Sequence, residues 1–161
     1  MKKISFLCKL YKEEKIKEVD PSLEIKQAYL IKSAKSLSSA KTLSETGNLE
    51  DAVALTYYSM YHCLTALLFR IGIKCENHAG AILLLKEVFG IDNTQISFAK
   101  KERVDKQYYV DFQITKQEVT TAIKIAEEFN ARIQDFIEKI SENSIKEYHH
   151  NTLILIGAKE K

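Results

Sequence analysis

From Ala52 to Phe69 the chain reads AVALTYYSMYHCLTALLF, a stretch without one formal charge and the only long segment that is apolar on nearly every side. At helical spacing Ala54, Tyr57, Tyr58, Tyr61, Leu64 and Leu68 form one stripe, and Val53, Met60, Leu67 and Ile71 form a second. A helix that is apolar all round has to be surrounded by other helices or by lipid. Lipid fits badly, because Thr56, Tyr57, Tyr58, Ser59, Tyr61, His62 and Thr65 would hold hydroxyls and an imidazole where nothing polar answers them. The stretch is therefore expected to be the central rod of an all-α, up-and-down bundle of four to six helices, with no membrane involved.

Composition narrows the rest. The 161 residues, 45% of them apolar, suffice for one domain with a real core, taken as residues 1–161: an accessory helix over 1–20, the bundle over 21–148 and a tail over 149–161. One proline and five glycines leave too little turn chemistry for an all-β sandwich. A net charge of +2, well mixed, does not announce a nucleic-acid or membrane protein. Arginine occurs only at Arg70, Arg103 and Arg132, so each of these planar forks is worth following. Three scattered cysteines, Cys8, Cys63 and Cys75, argue against a disulfide framework and for a reducing compartment. With Lys2 and Lys3 followed by a charged amphipathic segment instead of an apolar run, a cytoplasmic location is expected.

Taken in order, Ile4, Leu7, Cys8 and Tyr11 predict a short helix over about Ser5 to Val19. Asp20-Pro21 marks a boundary, and the next helix, with Leu23, Leu30, Ala34 and Leu37 on its inner face, ends near Gly47. Small side chains at Ser33, Ala34, Ser38 and Ala40 suit close helix approach. Asn48, Glu50 and Asp51 open the central helix and Gly72 ends it; Asn77 caps a helix over His78 to Phe89, stopped by Gly90. A more polar helix runs from Asp92–Thr94 to about Lys106, and Tyr108 to Ile114 read as irregular or extended. Thr115 with Glu118 forms a capping box for the last long helix, whose inner face is Val119, Ala122, Ala126, Phe129, Ile133, Phe136 and Ile140 and whose period continues toward Tyr148. Leu153 to Ile156 is a short apolar run expected either on the bundle or on a second subunit. His149 and His150 read as exposed residues near a fraying end.

Familiar catalytic motifs are absent: no glycine-rich phosphate loop, H-E-x-x-H helix or G-x-S-x-G elbow. Cys75 and His78 have a metal-like spacing but lack a second matching pair, so no metal and no cofactor is expected. What does stand out is Tyr57-Tyr58-Ser59-Met60-Tyr61-His62, then Ala66-Leu67-Leu68, Gly72 and His78-Ala79-Gly80. In these residues the chain resembles HEPN domains, and specifically the small free-standing members found beside minimal nucleotidyltransferases. The likeness extends as an order of helices from about Pro21 to Ile140.

That resemblance implies a helical bundle, commonly dimeric, with a groove between subunits. It also implies a nucleotide, RNA or small nucleotidyltransferase as partner. Many members are ribonucleases or toxins in which an arginine is followed after four to six residues by a histidine. The imidazole moves a proton at a ribose 2′-hydroxyl while the guanidinium steadies charge on the phosphate. Arg103 falls at the place of that arginine, but Tyr108 and Tyr109 stand where the histidine is due, and a phenol is a poor base at neutral pH. Glu76 occupies a position where relatives commonly carry lysine. Arg103, Lys100, Lys101 and Lys106 with Tyr108 and Tyr109 still compose a basic patch with aromatic faces, and His78 is a further ligand-contacting candidate. The bland alternatives are a solvated helix face paired to Glu102 and Asp105, a histidine tied to nearby backbone, and tyrosines used in core or dimer packing. Three functions follow: a non-catalytic binder of nucleotide or RNA or partner of a nucleotidyltransferase; a metal-independent ribonuclease toxin borrowing His78 or His62; or a structural adaptor.

Overall fold

The computed structural model describes residues 2–108 and 113–159. Among them lie seven helices, α1 Lys2–Lys12, α2 Leu23–Glu45, α3 Leu49–Arg70, α4 His78–Phe89, α5 Thr94–Tyr108, α6 Lys116–Lys139 and α7 Glu142–Leu155, with two short strands, β1 Ile16–Glu18 and β2 Ile73–Cys75. The all-α class holds, and the helix number exceeds the expected four to six.

α3 is the uncharged stretch, and it is enclosed by α2, α4, α5 and α6. It is long and apolar enough to cross a membrane, yet 83% of its most apolar window is buried inside the protein. Burial decides its conformation. Tyr, Thr and Ser each cost up to about 0.7 kcal/mol of helix propensity, whereas each fully buried Met60, Leu64, Leu67 or Leu68 contributes about 1.5–3 kcal/mol. Two of its hydroxyls are answered locally: Thr56 and Thr65 donate to the carbonyls of Ala52 and Tyr61, both at 2.8 Å. Glu50 and Asp51 at its start and Arg70 at its end complement the helix dipole.

α2 joins α3 through its serines. Ser33 Oγ donates to the Ser59 carbonyl at 2.7 Å, Ser59 Oγ donates to the Ser33 carbonyl at 2.9 Å, and Asn130 Nδ2 of α6 donates to Ser59 Oγ at 2.8 Å. The buried side of α2 is thus Ser33, Ala40 and Ser44, flanked by half-buried Leu30 and Leu37. The expected stripe was misplaced: Leu23, 61% exposed, and Ala34 face outward, because hydroxyls that find carbonyls on α3 are invisible to an apolar count.

Several other boundaries differ. The first helix stops at Lys12, and residues 16–18 are a strand, pairing antiparallel with β2 in the register Ile16↔Cys75 and Glu18↔Ile73. Three residues are too few for a period of two to register. The long period of α6 does not carry on to Tyr148: Ile140 turns extended, and Ser141 caps α7 by accepting from the Ser144 N–H. The apolar tail is settled within the chain, as Leu153 and Ile156 are buried in the same cluster as Leu7, Leu10 and the α3 leucines. The capping box at Thr115–Glu118, the Asn77 cap, the left-handed Gly90 stop and the inner face of α6 are as expected.

His149 is not at a fraying end. Its Nδ1 lies 2.7 Å from the Ile71 carbonyl and its Nε2 lies 2.9 Å from Glu18 Oε1, tying α7 to the end of α3 and to β1. Both partners are acceptors, so a ring N–H donates to one or the other. Beneath it Gly72 has φ +77°, and its carbonyl accepts from Val19 N. A Cβ there would sit 2.6 Å from the Val19 carbonyl oxygen and 3.1 Å from His149 Nδ1. Gly72→Ala is expected to lower unfolding stability by about 2–4 kcal/mol, from left-handed backbone strain plus overpacking. Urea unfolding of the two proteins measures this, and an unchanged midpoint would contradict the geometry.

Candidate functional site

Four aromatic positions of α3, Tyr57, Tyr58, Tyr61 and His62, lie at helical neighbour spacing and meet His78 at the start of α4 and Arg103 on α5. Each element contributes for a local reason. Asn77 Oδ1 accepts from Gly80 N at 2.8 Å, which starts α4 with His78 in its first turn. Asp92 accepts from Thr94 N and Oγ1, which starts α5 and carries Arg103 over the tyrosines.

Arg103 Nη1 donates to the Tyr58 hydroxyl at 3.0 Å, and its Cζ lies 5.1 Å and 5.5 Å from the Tyr58 and Tyr57 ring centres. These are cation–π distances. His78 stacks on Tyr61 with centroids 3.8 Å apart and planes 9° from parallel, while its Nδ1 is 2.6 Å from the Tyr57 hydroxyl. Tyr61 donates to the Cys75 carbonyl at 3.3 Å. Tyr57 is fully buried; Tyr58, Tyr61, His62, His78 and Arg103 are half-buried.

The cluster is neutral except for its cations. Burial, helped by neighbouring Tyr61, raises the Tyr57 phenol well above its ordinary value, and burial pushes Tyr61 up to about 12. Burial, then Arg103 and Lys100, lowers His78. His62 is pushed down to about 4 by burial first, then by Lys32 and His78. Among the described residues no carboxylate forms an ion pair with Arg103 or Lys100, and Glu102 and Asp105 do not neutralise them. The Arg103 Nε is buried with no partner among the described residues, as is His62 Nδ1.

The expected site residues divide accordingly. Arg103 and His78 come together on the tyrosines, with Lys100 one turn before Arg103 on the same helix face. Lys101 is exposed, and two residues from Arg103 it points to another side of α5. Lys106 leaves the patch: it is 6% exposed and donates to the Gln113 carbonyl at 3.2 Å. Tyr108 closes α5, and Tyr109 lies outside the described residues. The main omission was the role of Tyr57 and Tyr58 as partners of His78 and Arg103. Their adjacency on an otherwise apolar helix was the available signal, since buried phenols need hydrogen-bond partners.

A separate cleft of about 260 Å³ between α3, α5 and α6 is lined mainly by apolar side chains, Phe98, Ala99, Ile114, Ala122 and Ile125 among them. Among the described residues its lining includes neither Arg103 nor His78, and no cation to hold a phosphate.

The family model for the HEPN domain matches residues 27–136, more than half of the chain and all of the cluster. The chain belongs to the HEPN family. No curated protein matches it. Membership ties this HEPN chain to nucleotide- or RNA-related function. Chemically, a guanidinium with no carboxylate partner among the described residues can receive a phosphate oxygen.

His62 contributes to the acid response of the fold. Its pKa falls from 6.5 in the unfolded chain to about 4 in the folded one, so between those values the unfolded state binds more protons and stability is lost as pH decreases. Replacing His62 by Phe, which needs no partner at the buried Nδ1 position, is expected to flatten that part of the profile. Urea midpoints between pH 7 and pH 4 check it; parallel curves for the two proteins would refute the assignment.

Proposed function

We propose that this HEPN chain binds a nucleotide or an RNA end at Arg103 without cutting it. The observation that carries the reading is Arg103 itself: a half-buried guanidinium with no carboxylate partner among the described residues, fixed by the Tyr58 hydroxyl above two aromatic faces. A cation so held has already lost part of its water and gains an anion's charge at little further cost in ordering. Lys100 adds a second positive charge on that face. The absence of a histidine four to six residues after Arg103 removes the group that would deprotonate a 2′-hydroxyl in the family's nucleases. In this reading the protein acts as a homodimer in the cytoplasm and serves a small nucleotidyltransferase as binding partner.

One observation favours a second reading, a metal-independent ribonuclease. His78 reaches the same tyrosines as Arg103 and is held neutral, the state a proton acceptor needs.

Thermal unfolding with ribonucleotides decides the first reading. At a ligand concentration about a hundredfold above Kd the folded state gains about 2.7 kcal/mol, and Arg103→Ala should abolish the rise in Tm. No shift with any nucleotide or RNA oligomer overturns binding at this site. Incubation with total RNA in chelator separates the readings further: RNA left intact at high protein excess supports the binder. Degradation that disappears on His78→Ala establishes the nuclease.

A further inference from the structure

The proton on Tyr57 has one place to go. Tyr57 is 0% exposed, and the hydrogen-bond partner of its hydroxyl among the described residues is His78 Nδ1, 2.6 Å away. A buried O–H left without an acceptor is costly, so the phenol donates and Nδ1 accepts. A neutral imidazole with its lone pair at Nδ1 carries its proton at Nε2. Stacking on Tyr61 at 3.8 Å, with Tyr61 anchored on the Cys75 carbonyl, keeps the ring from turning over. Nε2 itself has no hydrogen-bond partner among the described residues and, unlike His62 Nδ1, is not sealed from solvent, so its N–H is available to a ligand.

We infer that Tyr57 is a positioning residue which locks His78 in the Nε2–H tautomer, so that His78 presents a hydrogen-bond donor and is withheld as a base. The inference rests on the proposed binding function for its use, though not for its existence. A phosphate or carbonyl oxygen of a bound nucleotide is the complementary acceptor. For His78 to take a proton from a 2′-hydroxyl, the lone pair would have to sit at Nε2 and the proton at Nδ1. That proton would then face the Tyr57 oxygen and leave the phenol hydrogen without an acceptor in a fully buried place. Losing that bond disfavours the base-competent tautomer by roughly ten- to a hundredfold. The buried phenol, its own ionisation suppressed, does not release the proton either.

Nitrogen-15 NMR of the full chain, with ring signals assigned through His78→Gln, reads the tautomer directly at a pH where His78 is neutral. The expected spectrum shows His78 protonated at Nε2 alone. Tyr57→Phe, which keeps the ring and removes only the hydroxyl, should convert it to a mixture with a clear Nδ1–H population. A wild-type His78 protonated at Nδ1, or a mixture in the wild type, overturns the lock. The same single tautomer in Tyr57→Phe also overturns it, since something else would then be setting the ring. Inorganic phosphate and ribonucleoside monophosphates added to the same sample test the binding reading separately. If the tautomer is as expected but neither probe moves the Nε2 signal, the binding reading fails and the lock stands; if the probes move a ring of the other tautomer, the lock fails and binding stands.

Discussion

Everything else in the bundle depends on enclosing α3. An uncharged helix of this length is stable in water only when wrapped, and the wrapping is completed by elements drawn from both ends of the chain: Leu7 and Leu10 of α1, Leu84 and Leu85 of α4, Phe129 and Ile133 of α6 and Leu153 of α7 share one buried cluster with Met60, Leu64, Leu67 and Leu68. Most of the hydroxyls carried inside are matched by carbonyls or by one another. The serine exchange between α2 and α3, extended by Asn130, fixes the pairing of those helices in a way that apolar contact alone does not, because a shift by one residue would strand buried hydroxyls.

The same helix then supplies the site. Where α3 emerges between α4 and α5, its stripe changes from leucine to tyrosine, and the phenols have polar ends that must be satisfied at the edge of the core. Tyr57 and Tyr58 meet an imidazole and a guanidinium brought from two other helices, and Tyr61 donates to the Cys75 carbonyl. The site is therefore an extension of the packing problem: the hydroxyls that needed partners hold Arg103 and His78 in fixed orientations, with the side-chain entropy of the arginine already spent in folding. No histidine follows Arg103 within the next seven residues, so the imidazole beside it comes from α4 instead of from its own segment.

Much of this was legible from residue patterns. The rod, the caps at Asn77 and Thr115 and the stops at Gly72 and Gly90 follow from local chemistry that acts within one turn of helix. The inner face of α6 was legible too, because its apolar residues repeat cleanly. The inner face of α2 was legible only in part: Ser33 and Ala40 stood out as small residues suited to close approach, but two of its three buried positions are serines, and a serine is inward or outward depending on whether another helix offers a carbonyl. The strands escaped notice because three residues hold no usable period, and His149 did because its two acceptors come from β1 and the end of α3. Lys106 was counted as a surface charge on composition, whereas the carbonyl of Gln113 draws it inward.

By itself, the order of residues determined that α3 would be buried, that the chain would be a helical bundle, where most helices would begin and end, and which arginine to watch. These are consequences of side-chain polarity and backbone preference over short distances. Only the tertiary structure decided that Arg103 and His78 would face the same pair of tyrosines, that Lys106 would leave the patch and that the apolar tail would close on its own core. Each of those outcomes turns on contacts between residues far apart in the chain, whose meeting no local pattern encodes.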